Sequence, residues 1–188
     1  MVRLNGAKEA MDTLVDNFTI RDVLRSKTLK SAAEAAKALG INPYIINDCK
    51  SYYYTTEFEI YSESLLALPI GDILIEIKAV TKAGIKQLRN IIKQFNIETL
   101  HYKSLNKEHL LFFTDSRLLN MPYDQLIVRS LNDQHGLFIN IKNTYAIIPP
   151  SNGYKLIHDY DLDHMPNGFV DYLLVLHDNI IVQGKINA

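Results

Sequence analysis

The alternation of apolar and polar residues along the chain predicts a mixture of helices and strands. Residues 7–40 favour helix, with Ser31-Ala-Ala-Glu34 as a capping box and Gly40 at the C′ position. The aromatic and β-branched residues within 41–66 indicate extended structure. We therefore expect a helical part over 1–40 and a core over 41–188, both within one domain spanning 1–188.

The clearest pair of elements is a strand followed by a helix. The segment Asp72–Lys78 is apolar at positions 73, 74, 75 and 77, which is typical of a buried strand. Thr81 can cap the helix that follows, and Asn96 can end it. Between them, apolar residues recur at helical spacing at Ile85, Leu88, Ile92 and Phe95.

The rest of the core alternates strands with two further predicted helices. A break at Leu105–Glu108 separates two extended segments, and Pro122 is expected to begin a helix that runs to about Leu131. The strands LFINIK and YAIIPP flank an Asn143-Thr144 turn, which is a hairpin signal. The last apolar run, FVDYLLVL, favours a helix on the core. The expected class is α+β, with a mainly antiparallel sheet flanked by helices.

Composition narrows the kinds of site that this chain can build. Hydrophobic residues make up 47% of the sequence and charged residues 22%, as in soluble globular proteins. No apolar run reaches the roughly 18 residues of a membrane span, so we expect a cytoplasmic protein without membrane contact. Cys49 is the only cysteine, which excludes an internal disulfide and a four-cysteine zinc or iron–sulfur site.

The charge balance limits how the chain can contact nucleic acid. It carries 20 basic and 21 acidic residues, for a net charge of −1. Proteins that bind nucleic acid through a broad basic face usually have a clear positive excess. Any contact of this chain with nucleic acid must therefore be local, or a partner must supply most of the charge.

Common catalytic signatures are missing from the sequence. It contains no glycine-rich phosphate loop, nucleophile elbow or His-Glu-x-x-His motif. The run from Asp159 to His164 looks like the start of a calcium loop. The sixth position of that loop is His164 in place of glycine, and the twelfth is Val170 in place of glutamate. We interpret this run as a solvated acidic turn.

Four elements follow one another in an informative order. Glu76-Ile77-Lys78 ends a buried strand, and an amphipathic helix comes next. A polar turn then leads to His109, with Phe112 shortly after it. Last comes Ile139-Asn140-Ile141-Lys142, followed by Pro149-Pro150-Ser151. From roughly Leu65 to Leu176 this order resembles the archaeo-eukaryotic primase family, in particular its primase–polymerase branch. The resemblance implies an RRM-like core with helices around it.

The departures from the family pattern concern its metal site. The family performs two-metal phosphoryl transfer, in which carboxylates hold two divalent ions. At the three matching positions this chain has Glu76, Lys78 and Asn140, of which only Glu76 is a carboxylate. An ammonium group repels a nearby metal ion, and an amide is a weak substitute for a carboxylate. We therefore expect no bound metal, no cofactor and no polymerase chemistry.

Loss of the metals leaves nucleotide binding possible. In the family, the turn before the histidine and a basic residue on the third strand contact the triphosphate. The matching candidates here are Ser104, Asn106, His109 and Lys142, and Lys78 could add a positive charge. Two features weaken this interpretation. The family's glycine pair before the histidine is replaced by Lys107-Glu108, and Glu108 would repel an anion unless it points away. The plainer alternative is that His109 and Asn140 are held by core hydrogen bonds.

The resemblance implies an accessory role in DNA replication. An inactivated primase–polymerase is similar to the non-catalytic third subunit of certain archaeal primases. Its implied partners are the catalytic small subunit, the large subunit, a nucleoside triphosphate, and single-stranded template DNA or the primer end. One alternative is an active primase–polymerase of a mobile element that uses Glu76 in an atypical metal site. The other is a structural or regulatory domain whose likeness to primases is accidental. The cluster Tyr52-Tyr53-Tyr54 could stack on bases, line an interface or pack in the core.

Overall fold

A computed structural model describes residues 19–48, 51–53, 64–129 and 135–175. The architecture is α+β, with mostly antiparallel sheets flanked by helices, as the sequence predicts. The elements follow in the order α1 (Ile20–Arg25), α2 (Leu29–Ala38), β1 (Tyr44–Asp48), β2 (Ser51–Tyr53), β3 (Leu65–Ile70), β4 (Leu74–Ala79), α3 (Lys82–Phe95), β5 (His101–Ser104), β6 (Lys107–Phe113), α4 (Ser116–Leu119), β7 (Gln125–Arg129), β8 (His135–Asn140), β9 (Thr144–Ile148), β10 (Tyr154–His158) and β11 (Asp163–His164), with a last helix, α5, over 167–175.

These residues group into two compact units. The first contains α1, α2, β1, β2, the part of β3 up to Leu68, and Ile147–Asn152. The second contains Pro69–Ala146 and the chain from Gly153 onward. All of the candidate site residues named above belong to the second unit.

Two sequence predictions fall outside the described residues. Positions 7–18 of the predicted N-terminal helix are among them, and so is Tyr54. The backbone of Tyr52 and Tyr53 forms part of β2, but the surroundings of their side chains are also outside the description. Stacking by this tyrosine cluster therefore stays a prediction.

In the first unit, α2 begins earlier than its predicted capping box. Its N-cap is Thr28, whose hydroxyl accepts a hydrogen bond from the Ser31 backbone N–H at 3.1 Å. The predicted box of Ser31 and Glu34 was wrong, because Ser31 already lies at the third helical position. Gly40, with φ of 74°, has the left-handed conformation expected just after a helix.

The first unit also contains the Pro149-Pro150-Ser151 segment. A four-stranded sheet has the order β2-β1-β3-β9, and within this unit β1 pairs antiparallel with both β2 and β3. The Ser151 hydroxyl accepts from the Leu66 backbone N–H at 2.8 Å and donates to the Leu66 carbonyl at 3.3 Å. The serine of this motif therefore satisfies buried backbone groups of β3.

The second unit contains a larger sheet of the order β10-β5-β6-β4-β8-β7. β11 pairs in parallel with the end of β6, and the other pairings are antiparallel. β4 begins at Leu74, two residues after the predicted start, and Asp72 is exposed before it. Because β4 lies between β6 and β8, its side chains meet residues from both neighbouring strands.

Helix α3 follows β4 within the predicted bounds. The Thr81 hydroxyl accepts from the Gly84 backbone N–H at 3.0 Å, and Asn96 ends the helix in the left-handed conformation with φ of 49°. Gly84 also lies against the backbone of β8, where an added Cβ would come within 1.9 Å of the Gly136 carbonyl oxygen. Only glycine at position 84 allows α3 to approach the sheet this closely.

One face of the larger sheet forms the hydrophobic core with α3 and α5. Antiparallel register places residues that are directly opposite each other on the same face. The buried side chains of this face include Ile75, Ile77, Leu110, Phe112, Leu137, Ile139, Leu88, Ile91, Phe169 and Leu173. Within the described ranges, no helix is both long and apolar enough to cross a membrane.

Two sequence predictions in this unit were wrong. The segment expected to be a helix from Pro122 contains β7, which pairs along its length with β8. Leu126 and Val128 are buried, whereas Ile127 between them is 38% exposed. This alternation is that of a strand. The strands of the predicted hairpin, β8 and β9, also do not pair with each other. β8 is already paired with β4 and β7, and β9 belongs to the other sheet.

Candidate functional site

A polar cluster occupies the sheet face opposite the hydrophobic core. On β4, Glu76 lies opposite Asn140 of β8, and Lys78 lies opposite His109 of β6. Glu76 and Lys78 are two residues apart, so their side chains emerge on the same face. Three neighbouring strands therefore bring together positions 76, 78, 109 and 140, which the resemblance singled out.

The carboxylate of Glu76 is the centre of this cluster. One oxygen, Oε1, accepts from the Tyr102 hydroxyl at 2.9 Å and lies 2.9 Å from His109 Nδ1. The other oxygen, Oε2, accepts from Asn140 Nδ2 at 2.6 Å. Glu76 is only 2% exposed. A buried carboxylate costs little only when donors surround it, and here three protein side chains do so.

The imidazole of His109 continues the chain of hydrogen bonds. Its Nε2 lies 2.9 Å from the Ser104 hydroxyl. Its ring stacks on that of Tyr102 with the centroids 4.6 Å apart and the planes 7° apart. Because Glu76 can only accept, His109 carries its proton on Nδ1, which leaves Nε2 facing Ser104. When Nε2 is unprotonated it accepts from the Ser104 hydroxyl, and when it is protonated it donates to that hydroxyl oxygen.

Two tyrosines next to these groups stay neutral. Burial raises the pKa of Tyr102 well above its usual value of 10, and the negative charge of Glu76 raises it further. Burial also raises the pKa of Tyr154, whose ring centroid lies 6.0 Å from that of His109. Tyr102 therefore remains a permanent hydrogen-bond donor to Glu76.

Asn140 links the cluster to the outer strand. Its Oδ1 accepts from Gln125 Nε2 at 2.5 Å, while its Nδ2 donates to Glu76. Gln125 and Tyr102 were missed in the sequence. A signal for Tyr102 was present, because it lies two residues before Ser104 in an extended segment and therefore shares its face.

The remaining basic and turn residues have different surroundings. Lys78 is half-buried, and its ammonium has no hydrogen-bond partner among the described residues. Asn106 is exposed in the turn between β5 and β6. Lys142 lies away from the hydrogen-bonded cluster, and its Nζ donates to the carbonyls of Leu119 and Met121 at 2.9 and 2.8 Å. Lys142 thus anchors the backbone after α4, a role that the sequence did not indicate.

Glu108 points away from the candidate phosphate contacts. It precedes His109 in β6, so its side chain lies on the opposite face of the sheet. There it forms an ion pair with Arg89 of α3, and it is 5% exposed. The negative charge of Glu108 therefore does not face the candidate phosphate contacts, contrary to what its position in the sequence suggested.

Next to Glu108, His101 is held in its neutral form. Burial lowers the pKa of His101 from 6.5 to about 4, although the Glu108 carboxylate opposes this shift. His101 Nε2 lies 3.3 Å from a Glu108 oxygen, but the N–H is not aligned for a hydrogen bond. The desolvation of the ring thus outweighs its attraction to the carboxylate.

The cluster offers few of the ligands that a magnesium ion prefers. A magnesium ion prefers several anionic oxygens, whereas Glu76 supplies the only carboxylate among these side chains. Both of its oxygens already accept hydrogen bonds, which a metal ion would have to displace. Within the described residues, no group of three or more histidine, cysteine, aspartate or glutamate side chains is arranged to hold a metal.

Comparisons with known proteins add no family assignment. No model of a known protein family matches the chain, and no curated protein is significantly similar to it in sequence.

Proposed function

We propose that this protein is a non-catalytic, nucleotide-binding subunit of a DNA primase. It would assist primer synthesis by holding the initiating nucleotide or the primer end, while a catalytic small subunit and a large subunit carry out the chemistry on single-stranded template DNA. The proposed role resembles that of the non-catalytic archaeal primase subunit PriX.

The proposal rests on the hydrogen bonds and the charges that surround Glu76. At the position where the primase–polymerase pattern requires metal-binding carboxylates, a single carboxylate accepts hydrogen bonds from three side chains. Its neighbours at the other two positions are an ammonium, Lys78, and an amide, Asn140. A site with this charge composition favours a polyanion over a dication, because Lys78 attracts phosphate and repels metal.

The groups proposed to contact a triphosphate are neighbours in the cluster, and because Ser104 and His109 are 5% and 3% exposed, binding requires the cluster to open. When His109 is protonated, its Nε2 N–H donates to Ser104, which can then donate its hydroxyl to a phosphate, with Glu76 balancing the positive charge of the imidazolium. Lys78, on the neighbouring strand opposite His109, can add a further charge-assisted hydrogen bond. Asn106, exposed at the following turn, can reach the sugar or a phosphate. Lys142 is left out of this set, because two backbone carbonyls occupy its ammonium.

Primer synthesis with a labelled nucleotide tests the proposal. The reaction is run on a single-stranded template with the chain alone, with the catalytic small and large subunits alone, and with all three together. We expect no product from the chain alone and more product when it is added to the other two. Co-purification of the three chains should accompany the stimulation.

Substitutions separate nucleotide contacts from structural effects. Lys78→Ala, Ser104→Ala and His109→Gln should each weaken binding of a labelled triphosphate by about tenfold, the equivalent of one charge-assisted hydrogen bond. Lys30→Gln, at an exposed lysine of α2, is the matched control and should bind as the parent chain does. Unchanged binding in all three variants, at unchanged stability, would refute the assignment of this cluster.

The same reaction also tests the enzymatic alternative. Primers made by the chain alone with magnesium or manganese, and lost in Glu76→Ala, would make the protein an active primase–polymerase. Failure to bind either a triphosphate or the other primase subunits would instead favour a structural domain.

A further inference from the structure

Helix α3 presents a row of basic side chains to solvent. Lys82, Lys86, Arg89 and Lys93 are all exposed. At 3.6 residues per turn, these four positions fall within an arc of about 60° and extend over about 16 Å of the helix. The row lies on the side opposite the buried Gly84, Leu88 and Ile91.

This row is unusual because α3 itself carries no acidic residue, although Arg89 pairs with Glu108 of β6. The α3 sequence, KAGIKQLRNIIKQF, contains no aspartate or glutamate. Lys82 and Lys86, like Arg89 and Lys93, are like charges four residues apart, an arrangement that destabilises a helix. Lys82 also lies at the N-terminus, where the helix dipole disfavours a cation.

The neighbouring edge of the sheet extends the positive surface. Lys103 of β5 lies directly opposite Lys155 of β10, and both side chains are exposed. Like charges in directly opposite positions destabilise a strand pair. On β6, the other strand next to β5, Glu108 also lies opposite Lys103, but it is buried and paired with Arg89. We call the six residues Lys82, Lys86, Arg89, Lys93, Lys103 and Lys155 the basic surface.

The basic surface and the polar cluster lie on different sides of the same sheet. Lys103 is adjacent in sequence to Ser104, so the two side chains alternate between the two faces. The exposed acidic residues of 159–163 follow β10 at the end away from Lys155. Positive charge is therefore concentrated locally in a chain whose net charge is −1.

We propose that the basic surface binds the sugar–phosphate backbone of a nucleic acid strand. A regular row of cations over about 16 Å matches a polymer with evenly spaced charges, since DNA carries about one negative charge per 1.7 Å of duplex. The surface is suited to phosphates rather than to stacking on bases, because among the described residues the exposed large hydrophobic side chains lie outside α3. The same feature disfavours a membrane, since interfacial helices insert an apolar face into lipid, whereas that of α3 is buried in the core.

The test is the binding of a fluorescently labelled 20-nucleotide strand to the full chain over a range of salt concentrations. We expect Lys82→Gln/Lys86→Gln/Lys93→Gln to weaken binding at least tenfold at low salt. The slope of log K against log salt should become shallower by about 2, because each lost phosphate contact on a single strand accounts for about 0.7. Glutamine preserves helix propensity, and a melting curve checks the fold of each variant.

The matched control is Lys27→Gln/Lys30→Gln, which removes two exposed lysines from the other unit. It should bind the strand as the parent chain does. The triple variant should bind the labelled triphosphate as the parent chain does, so a failure of the nucleotide site and a failure of this surface are distinguishable. The proposal is overturned if the parent chain does not bind the strand, or if the triple variant binds it equally well. Stronger binding to poly-glutamate or to anionic vesicles than to the strand would overturn it as well.

Discussion

Replacing Glu76 distinguishes a structural carboxylate from one that is ready for a metal. Carboxylates that await a metal repel one another or lie poorly solvated, so their removal leaves a metal-free protein equally stable or more stable. Glu76 has the opposite surroundings. It is 2% exposed and accepts from Tyr102, His109 and Asn140. Removing it should therefore destabilise the fold.

The expected magnitude follows from the donors that lose their acceptor. Each buried donor left without a partner costs about 1–3 kcal/mol. The three donors can partly rearrange, which lowers the summed cost, so we expect Glu76→Leu to reduce the free energy of unfolding by about 3–5 kcal/mol. This is a large share of the roughly 5–15 kcal/mol that stabilises a typical domain. Glu76→Gln keeps one acceptor oxygen and should cost about 1–2 kcal/mol. Asp72→Asn, an exposed carboxylate just before the same strand, should change stability by less than about 0.5 kcal/mol.

The measurement is urea unfolding at neutral pH without added metal, followed by circular dichroism and by tyrosine fluorescence. Coincident transitions from the two signals would justify a single free energy of unfolding for each variant. If Glu76→Leu is as stable as the parent chain or more stable, Glu76 does not hold the cluster together. The active-enzyme alternative would then regain support.

Two further predictions concern other buried positions of the second unit. Burial lowers the pKa of His101 to about 4. The free energy of unfolding should therefore keep its full value above pH 6.5 and fall by up to about 3 kcal/mol as the pH decreases toward 4. His101→Phe should remove this loss, the exposed His164→Gln should retain it, and equal acid profiles for all three chains would contradict the assignment. Gly84→Ala should destabilise the protein by about 3 kcal/mol in urea unfolding, because its Cβ meets the β8 backbone. The comparison is Ala83→Gly, which costs about 1 kcal/mol through helix propensity. An equal loss of stability in both variants would refute the close approach of α3 to β8.

Local sequence determined the elements whose signals lie within a few residues. Thr81 and Asn96 bound α3 as predicted, because a helix cap depends on hydrogen bonds to the adjacent turn. The apolar run before Lys78 identified β4 to within two residues at its start. The mainly antiparallel α+β class followed from these alternations as well.

Tertiary pairing decided what the local pattern left ambiguous. The apolar residues around Ile127 fit a helix or a strand, and hydrogen bonds to β8 selected the strand. The turn at Asn143 fits a hairpin, but both edges of β8 were already taken. Strand order is a long-range property, since it depends on which distant segment reaches an edge first, and short sequence patterns carry little information about it.

The sequence alone determined which side chains are available for a site, and the tertiary structure decided what they do. Glu76, His109 and Asn140 could be named from their order along the chain, yet their mutual hydrogen bonds required three strands to pair in one register. Register also made Tyr102 a donor to Glu76 and turned Glu108 to the opposite face. A shift of one residue in a strand would reverse both assignments, because successive side chains alternate between faces.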